Sequence, residues 1–174
     1  MVQYKIGGDE IIPFYGSRCV FSNFFSCDLI YNTISFKSSE QAYQYSKSIF
    51  LNHPEVAERV LLCDNAYNAK MAVKCVFSRS EINDWKIVSR SIMYKILLAK
   101  YEHCPLFREA LRSSKSSKLM ETNQWDSYWG CGISMETLLN RNNGNNGNYS
   151  GDNVMGHLLE QIRSEKSWDL FINN

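Results

Sequence analysis

The most constraining feature of this chain is a run that begins at Ser78. Ser78 and Glu81 stand in capping-box spacing, and behind them Ile82, Trp85, Val88, Ile92, Ile96 and Ala99 recur every three or four residues. A hydroxyl at the first position satisfies an orphan backbone donor three residues on, and the carboxylate there reaches back to satisfy another, so the pair marks a helix start. The spacing behind it predicts the longest amphipathic helix in the protein, with one apolar stripe. Such a stripe must be covered by other elements, which makes this helix the expected spine of the core.

What covers it is expected to be mostly helical. Ser38 and Gln41 repeat the capping spacing and predict a helix over about 39–51. Pro54 suits the first turn of a second helix running to about Leu62, and "NAYNAKMAVKCVF" supplies helix formers for a third. Pro105 starts a short helix to about Arg112, and Asp152 is placed to cap a last one whose Val154, Leu158, Leu159 and Ile162 face inward. Strands are fewer. Alternating aromatic and β-branched positions over 11–36, broken at Gly16, Asn23 and Asn32, predict two or three short ones, and "SKLMET" one more. Strands not regularly interleaved with helices favour a mainly helical α+β fold with a small sheet over a doubly wound one. At 174 residues one compact domain over 1–174 is expected, with a mobile Asn/Gly-rich loop at about 140–152.

Charge narrows the function classes. Nineteen basic against eighteen acidic residues leave a net charge of +1, so no global field draws the chain to nucleic acid or to an anionic membrane. The best local basic run, Arg108, Arg112, Lys115 and Lys118, is expected to be a solvated face. Six cysteines without a C-x-x-C pair and three dispersed histidines give neither a zinc nor a disulfide signature; no metal or other cofactor is expected, and most thiols are expected to be buried. No run approaches the ~20 apolar residues of a membrane span. The opening "MVQYKIGGDE" has no apolar signal core, and a reducing cytoplasm is the expected setting.

Candidate chemistry gathers in two stretches. On the helix begun by Ser38, Glu40 and Lys47 are seven residues apart, which at ~100° per residue returns them to one azimuth, with Tyr43 and Gln44 between them. Ala42, Tyr45 and Ile49 point the other way and are expected to seat the helix. An acid, a phenol, an amide and an amine along one stripe either line a cleft or form a solvated face. In "WDSYWGCG", Asp126 between Trp125 and Trp129 can take ribose hydroxyls while indoles cover a base, and Gly130 and Gly132 permit close backbone approach to a ligand. A core strand ending in a turn uses the same residue types. Asn23, among aromatics in "FSNF", is costly unless its amide is met by a turn or by a ligand. Trp85, within the long helix, is core by default. Cys131 has neither a nearby base nor a catalytic cysteine signature and is not expected to act as a nucleophile.

Taken in order, "FYGSRCVFSNFF", "FKSSEQAYQYSK", "INDWKIVSRSIMYKILLAKY", "KLMETNQWDSYWGCG" and "GDNVMGHLLEQIR" resemble the YbiA-like, or NADAR, family over about Phe14 to Arg163. The resemblance implies a mainly helical α+β fold and an N-glycosidase activity that cleaves ribose C1 from an amine nitrogen. It implies two substrate classes: phosphoribosylamino-pyrimidine intermediates of riboflavin synthesis, and ADP-ribose attached to guanine in DNA. The implied partners are therefore a small ribosyl or ADP-ribosyl molecule and ADP-ribosylated DNA. Position by position, Glu40 matches the acid of the family's Ser-Glu-His helix start and Lys47 its following lysine, while Trp85 matches the tryptophan opening the long helix. Asp126, Trp129, Gly130 and Gly132 match an Asp-x-x-Trp-Gly-x-Gly element, and Asn153 with Gly156 an Asn-x-x-Gly element. Glu40, Lys47 and Asp126 are thus the expected catalytic residues, with Asn23, Tyr43, Gln44, Trp85, Trp129, Gly130, Gly132 and Asn153 on the substrate. Two features depart from the pattern: Gln41 stands where the family usually has histidine, and the Asn/Gly loop is longer than is usual. The alternative class is a non-catalytic module that binds ADP-ribose or a nucleotide.

Overall fold

The computed structural model describes residues 2–6, 8–140 and 149–172. In chain order they form β1 (Tyr4–Ile6), β2 (Asp9–Phe14), β3 (Leu29–Tyr31), β4 (Ile34–Phe36), α1 (Ser39–Phe50), α2 (Pro54–Leu61), α3 (Ala66–Ala72), α4 (Arg79–His103), α5 (Pro105–Ser113), β5 (Lys118–Glu121), α6 (Met135–Asn140) and α7 (Val154–Ile172). The fold is α+β and mainly helical. Two compact units make it up: Asn23–Arg108, and Met1–Ser22 with Glu109–Asn174. The Asn/Gly loop expected at about 140–152 falls largely on residues 141–148, outside the described residues. Among the described residues no helix is long and apolar enough to cross a membrane.

In the unit of residues 23–108, α4 starts as its sequence dictates. Ser78 Oγ accepts from Glu81 N at 3.3 Å, and Glu81 Oε2 accepts from Ser78 N at 2.8 Å, closing both halves of the capping box. The buried stripe of α4 is Trp85, Ser89, Met93, Ile96, Leu97, Lys100 and Tyr101. That is a correction, because Ile82, Val88, Ile92 and Ala99 are only half-buried. The true stripe carries a serine and a lysine, and a pattern counted on apolar residues alone skips both. Against α4 pack α1 and the β3–β4 hairpin, and α1 also packs on α2 and α3. The hairpin turns through Asn32 and Thr33, both with positive φ (49° and 66°), as a two-residue turn matching strand twist requires. A cluster of Val56, Val60, Ala69, Val73 and Phe77 closes the three-helix side. Seating of α1 also differs from expectation: Ala42 is buried, but Ile49 is 48% exposed, and the covered side carries Glu40, Tyr43 and Gln44.

His53 joins α2 to α4 in the same unit. Its Nε2 lies 2.6 Å from Glu81 Oε1 and its Nδ1 3.4 Å from Glu55 Oε1. The Glu81 hydrogen bond raises the imidazole above its ordinary 6.5, and hydrogen bonds from Ser78 and His53 hold Glu81 down to about 2. A raised histidine stabilises the fold below its unfolded value and loses that contribution as pH rises through the folded one. A depressed glutamate contributes above its unfolded value and loses it as pH falls. The contact is therefore strongest between pH 4.5 and 6.5. Thermal melts are expected to show stability falling on both sides of that window, and His53→Gln is expected to flatten the alkaline side and to shrink the acid side, because His53 is one of the groups that hold Glu81 down.

In the other unit, β2 is the middle of a three-stranded sheet, antiparallel to β1 and parallel to β5. Pro13 is tolerated there because β1 pairs only with Asp9 to Ile11, leaving the missing N–H beyond its reach. β1 and α6, with three and six residues, are too short to leave a periodic signal. The buried cluster Ile11, Met120, Cys131, Ile133 and Leu138 lies on this sheet's side of the unit. Val154, Leu158, Leu159 and Ile162 of α7 are all buried, as expected. Gly156 lets α7 lie on β5: a Cβ there would overlap the Leu119 carbonyl oxygen and the Asn153 side chain, 2.9 Å from Asn153 Cγ. Gly156→Ala is expected to lower stability by about 1–3 kcal/mol in chemical denaturation, because overpacking against backbone outweighs the gain in helix propensity.

The cysteines correct another expectation. All six are free, but only Cys104 and Cys131 are buried, while Cys75 is exposed. Cys75 occupies a left-handed position (φ 60°) in the turn after α3, which faces outward.

Candidate active site

In residues 23–108 lie six of the expected site residues: four stand on α1, and Asn23 and Trp85 are each hydrogen-bonded to that helix. Glu40, in the first turn of α1, is 6% exposed, so its stripe is not a solvated face. Its Oε1 accepts from Gln44 Nε2 at 2.8 Å, one helical turn on, and its backbone N donates to Asn23 O at 3.1 Å. Tyr43 OH accepts from Trp85 Nε1 at 2.8 Å, and the two rings meet edge to face at 5.1 Å. Trp85 is therefore both core and fixed in orientation. Lys47 is half-buried, with Nζ 4.7 Å from the centre of the Phe77 ring. Burial lowers its pKa from the usual lysine value, and the Glu40 charge pulls the other way. The net direction favours a neutral amine, the form that attacks carbon.

Asn23 is 8% exposed. Its Nδ2 reaches Met93 Sδ at 3.5 Å, a weak acceptor. Its Oδ1 finds no donor among the described residues. A buried acceptor left in that state costs about 1–3 kcal/mol, so Asn23 is held at a price that the fold alone does not explain.

The second group lies in the other unit. Asp126 Oδ1 accepts from the backbone N of Tyr128 (3.1 Å) and of Trp129 (2.8 Å), forming an Asx turn that sets the start of the tryptophan turn. The N–H groups that open α7 then donate to its carbonyls: Asp152 to Ser127 (2.7 Å), Asn153 to Gly130, Val154 to Tyr128 and Met155 to Trp129, each at 3.1 Å. The turn thus serves as the cap of α7, taking the orphan donors of its first turn. Asp152 was the expected capping side chain; its backbone N–H is what the turn holds, and Asn153, with φ 48°, leads into the helix.

Gly130 and Gly132 are expected to let a ligand approach the backbone; in the structure it is the chain itself that comes close. A Cβ on Gly130 would stand 2.9 Å from Asp126 O and 3.0 Å from Glu121 O, and one on Gly132 2.7 Å from Ser150 Oγ. The Asn153 amide is likewise committed to backbone, accepting from Glu121 N at 3.0 Å and donating to Leu119 O at 2.9 Å. Cys131 is fully buried beneath this turn.

A family model described as the NADAR domain matches residues 13–165. The chain belongs to the NADAR domain family. Among curated members and relatives it is 26% identical over 169 residues to Protein irg-1 of Caenorhabditis elegans, covering 88% of this chain and 78% of that protein. It is 27% identical over 162 residues to N-glycosidase YbiA of Escherichia coli, covering 90% and 89%. A shorter stretch of 83 residues, 48% of this chain and 12% of the relative, is 34% identical to the Riboflavin biosynthesis protein PYRR, chloroplastic, of Arabidopsis thaliana. The NMR structure of E. coli YbiA superposes with a TM-score of 0.71 at 25% identity, covering 92% of this chain and 87% of that one.

Within this NADAR chain, Gln41 shows what replaces the histidine usual at its position. Its Oε1 accepts from Lys37 N at 2.8 Å, one residue earlier than the capping box predicts. Its Nε2 donates to Val60 O and Cys63 O, each at 2.9 Å, tying α1 to the end of α2. The amide is a structural clamp. Sequence reasoning missed this clamp and the Phe77 ring under Lys47; the first is visible in sequence only as half of a cap, and the second leaves no local signal.

Proposed function

We propose that this chain is an N-glycosidase, a hydrolase that cleaves ribose C1 from an exocyclic amine nitrogen. One observation carries the reading: on a single face of α1, a glutamate withdrawn from water and held by Gln44 shares its field with a lysine whose amine burial favours. Support comes also from the names of relatives, N-glycosidase YbiA along nearly the whole chain and a riboflavin biosynthesis protein along part of it. The substrate is a phosphoribosylamino-pyrimidine, ADP-ribose joined to guanine in DNA, or both; on modified DNA the chain acts as an ADP-ribosyl hydrolase. Its six free cysteines suit a reducing cytoplasm. The family match spans both units, and we treat 1–174 as one family domain.

The chemistry follows from the bond. The lone pair of an exocyclic amine expels the ring oxygen and opens the ribose to an imine at C1. Lys47 Nζ adds to that carbon, and the base nitrogen leaves with its bonding pair and a proton. The resulting Schiff base on Lys47 takes up water and releases the sugar aldehyde, restoring the amine. Glu40 moves the protons, giving one to the departing nitrogen and taking one from the attacking water. A ribose hydroxyl donating to Asn23 Oδ1 supplies the hydrogen bond that this oxygen lacks among the described residues. For Asp126 and Trp129 the assignment rests on the family pattern.

The test is parallel incubation of wild type and Glu40→Gln with the pyrimidine intermediate and with an ADP-ribosylated guanine oligonucleotide, followed by mass spectrometry. Released base from at least one substrate with wild type is the expected result. If both come back unchanged although they bind, the non-catalytic reading replaces this one.

A further inference from the structure

We propose that a cleft at the ends of β2 and β5 binds one unpaired nucleobase, stacked on Trp125. The proposal rests on the N-glycosidase reading for the source of that base and on geometry for the site. Because β2 and β5 run parallel, with Phe14 opposite Glu121, Tyr15 and the Thr122–Trp125 segment leave the sheet at the same end. Between them lies an open cleft of about 260 Å³ whose lining includes Tyr15, Asn123, Gln124, Trp125, Ser134 and Met135.

Exposure marks this cleft. Trp125 is 85% exposed, Tyr15 54% and Met135 37%. Scattered surface apolar groups need no explanation, but three lining one depression, one of them an indole, form a patch rather than scatter. The backbone that carries the platform is hydrogen-bonded in place. Thr122 N donates to Phe14 O at 3.0 Å and Asn123 N to Glu121 O at 2.9 Å, while Asn123 Oδ1 accepts from Trp125 N at 3.0 Å. Little backbone ordering is left to oppose binding.

The lining chooses the ligand. Among the described residues it includes no charged side chain, so a phosphate or carboxylate finds no partner among them. Its aromatic faces ask for a flat ring, and the Asn123 and Gln124 amides and the Ser134 hydroxyl offer donors and acceptors to a ring edge, which an aliphatic chain cannot use. The volume sits just below the usual range for small-molecule pockets, about 300–1,000 Å³, which suits one base. With a net charge of +1 the chain has little general pull on phosphate backbone. Stacking is then the term that holds an unpaired base.

The test measures binding without turnover. A short single strand of unmodified DNA carrying one 2-aminopurine is titrated with wild type, Trp125→Ala, Trp125→Phe and Tyr15→Ala, with the matching duplex as control. Wild type is expected to bind the single strand with loss of 2-aminopurine fluorescence and to ignore the duplex. Trp125→Ala is expected to weaken binding on the order of tenfold or more, and Trp125→Phe to restore most of it. Thermal melts confirm that the variants fold, and Tyr15→Ala gives an independent reading of the same cleft. Competition by adenosine monophosphate identifies the base of a small nucleotide as the occupant, and competition by single strand alone identifies a neighbouring base in DNA. Binding that is absent, or indifferent to both aromatics, overturns the proposal, whatever turnover by wild type shows about the N-glycosidase reading.

Discussion

Glu40→Gln is expected to lower turnover by about 10²–10⁴-fold, the usual worth of a positioned proton-transfer group, with little change in melting temperature. The reason the fold should survive is local. Glu40 Oε1 acts as the acceptor for Gln44 Nε2, and a glutamine carbonyl oxygen can accept the same bond. Its backbone link to Asn23 does not involve the side chain. What the amide cannot do is exchange a proton, so the loss should appear in kcat with KM nearly unchanged, the mark of an interaction made only in the transition state. Activity that is retained on every cleaved substrate removes Glu40 from the chemistry. A fall confined to KM would instead make it a binding group.

How far the sequence shows this arrangement depends on whether the governing forces are local. Caps are local: Ser78 with Glu81 and Ser38 with Gln41 mark the starts of α4 and α1 because hydroxyls and orphan N–H groups lie within three residues of one another. The fold class follows, since helix starts dominate the chain. Burial is not local. The stripe of α4 includes Ser89 and Lys100, which only the surrounding elements can make interior, and Ile49 on α1 stays exposed although its periodicity says otherwise. The site divides in the same way. The shared azimuth of Glu40 and Lys47 is a property of any helix, whereas the Asx turn at Asp126 that ends as the cap of α7 joins residues more than twenty positions apart. The same is true of Gln41, whose second partner is the far end of α2.

Lys47→Arg separates the two ways in which a cation on this face can serve catalysis. Burial already pushes Lys47 toward the neutral amine, against the Glu40 charge and the Phe77 ring face at 4.7 Å, which favours the cation. The direction fits a group that must lose a proton before it attacks, so turnover by wild type should rise on the alkaline side until pH passes that lowered value. Arginine keeps the charge but stays protonated throughout and forms no Schiff base. Lys47→Arg is therefore expected to lose turnover by about 10³-fold or more, as removal of a nucleophile does. Borohydride added during turnover should leave a covalent sugar adduct on Lys47 in wild type and none in the variant, read by peptide mass spectrometry. Full activity in the arginine variant with no adduct in wild type assigns Lys47 to holding phosphate. The sugar ring then stays closed, and a carboxylate must direct water onto C1 itself. Glu40 is the candidate already withdrawn from solvent on the same face, so that outcome moves the central role from the amine to the acid and leaves the bond that is broken unchanged.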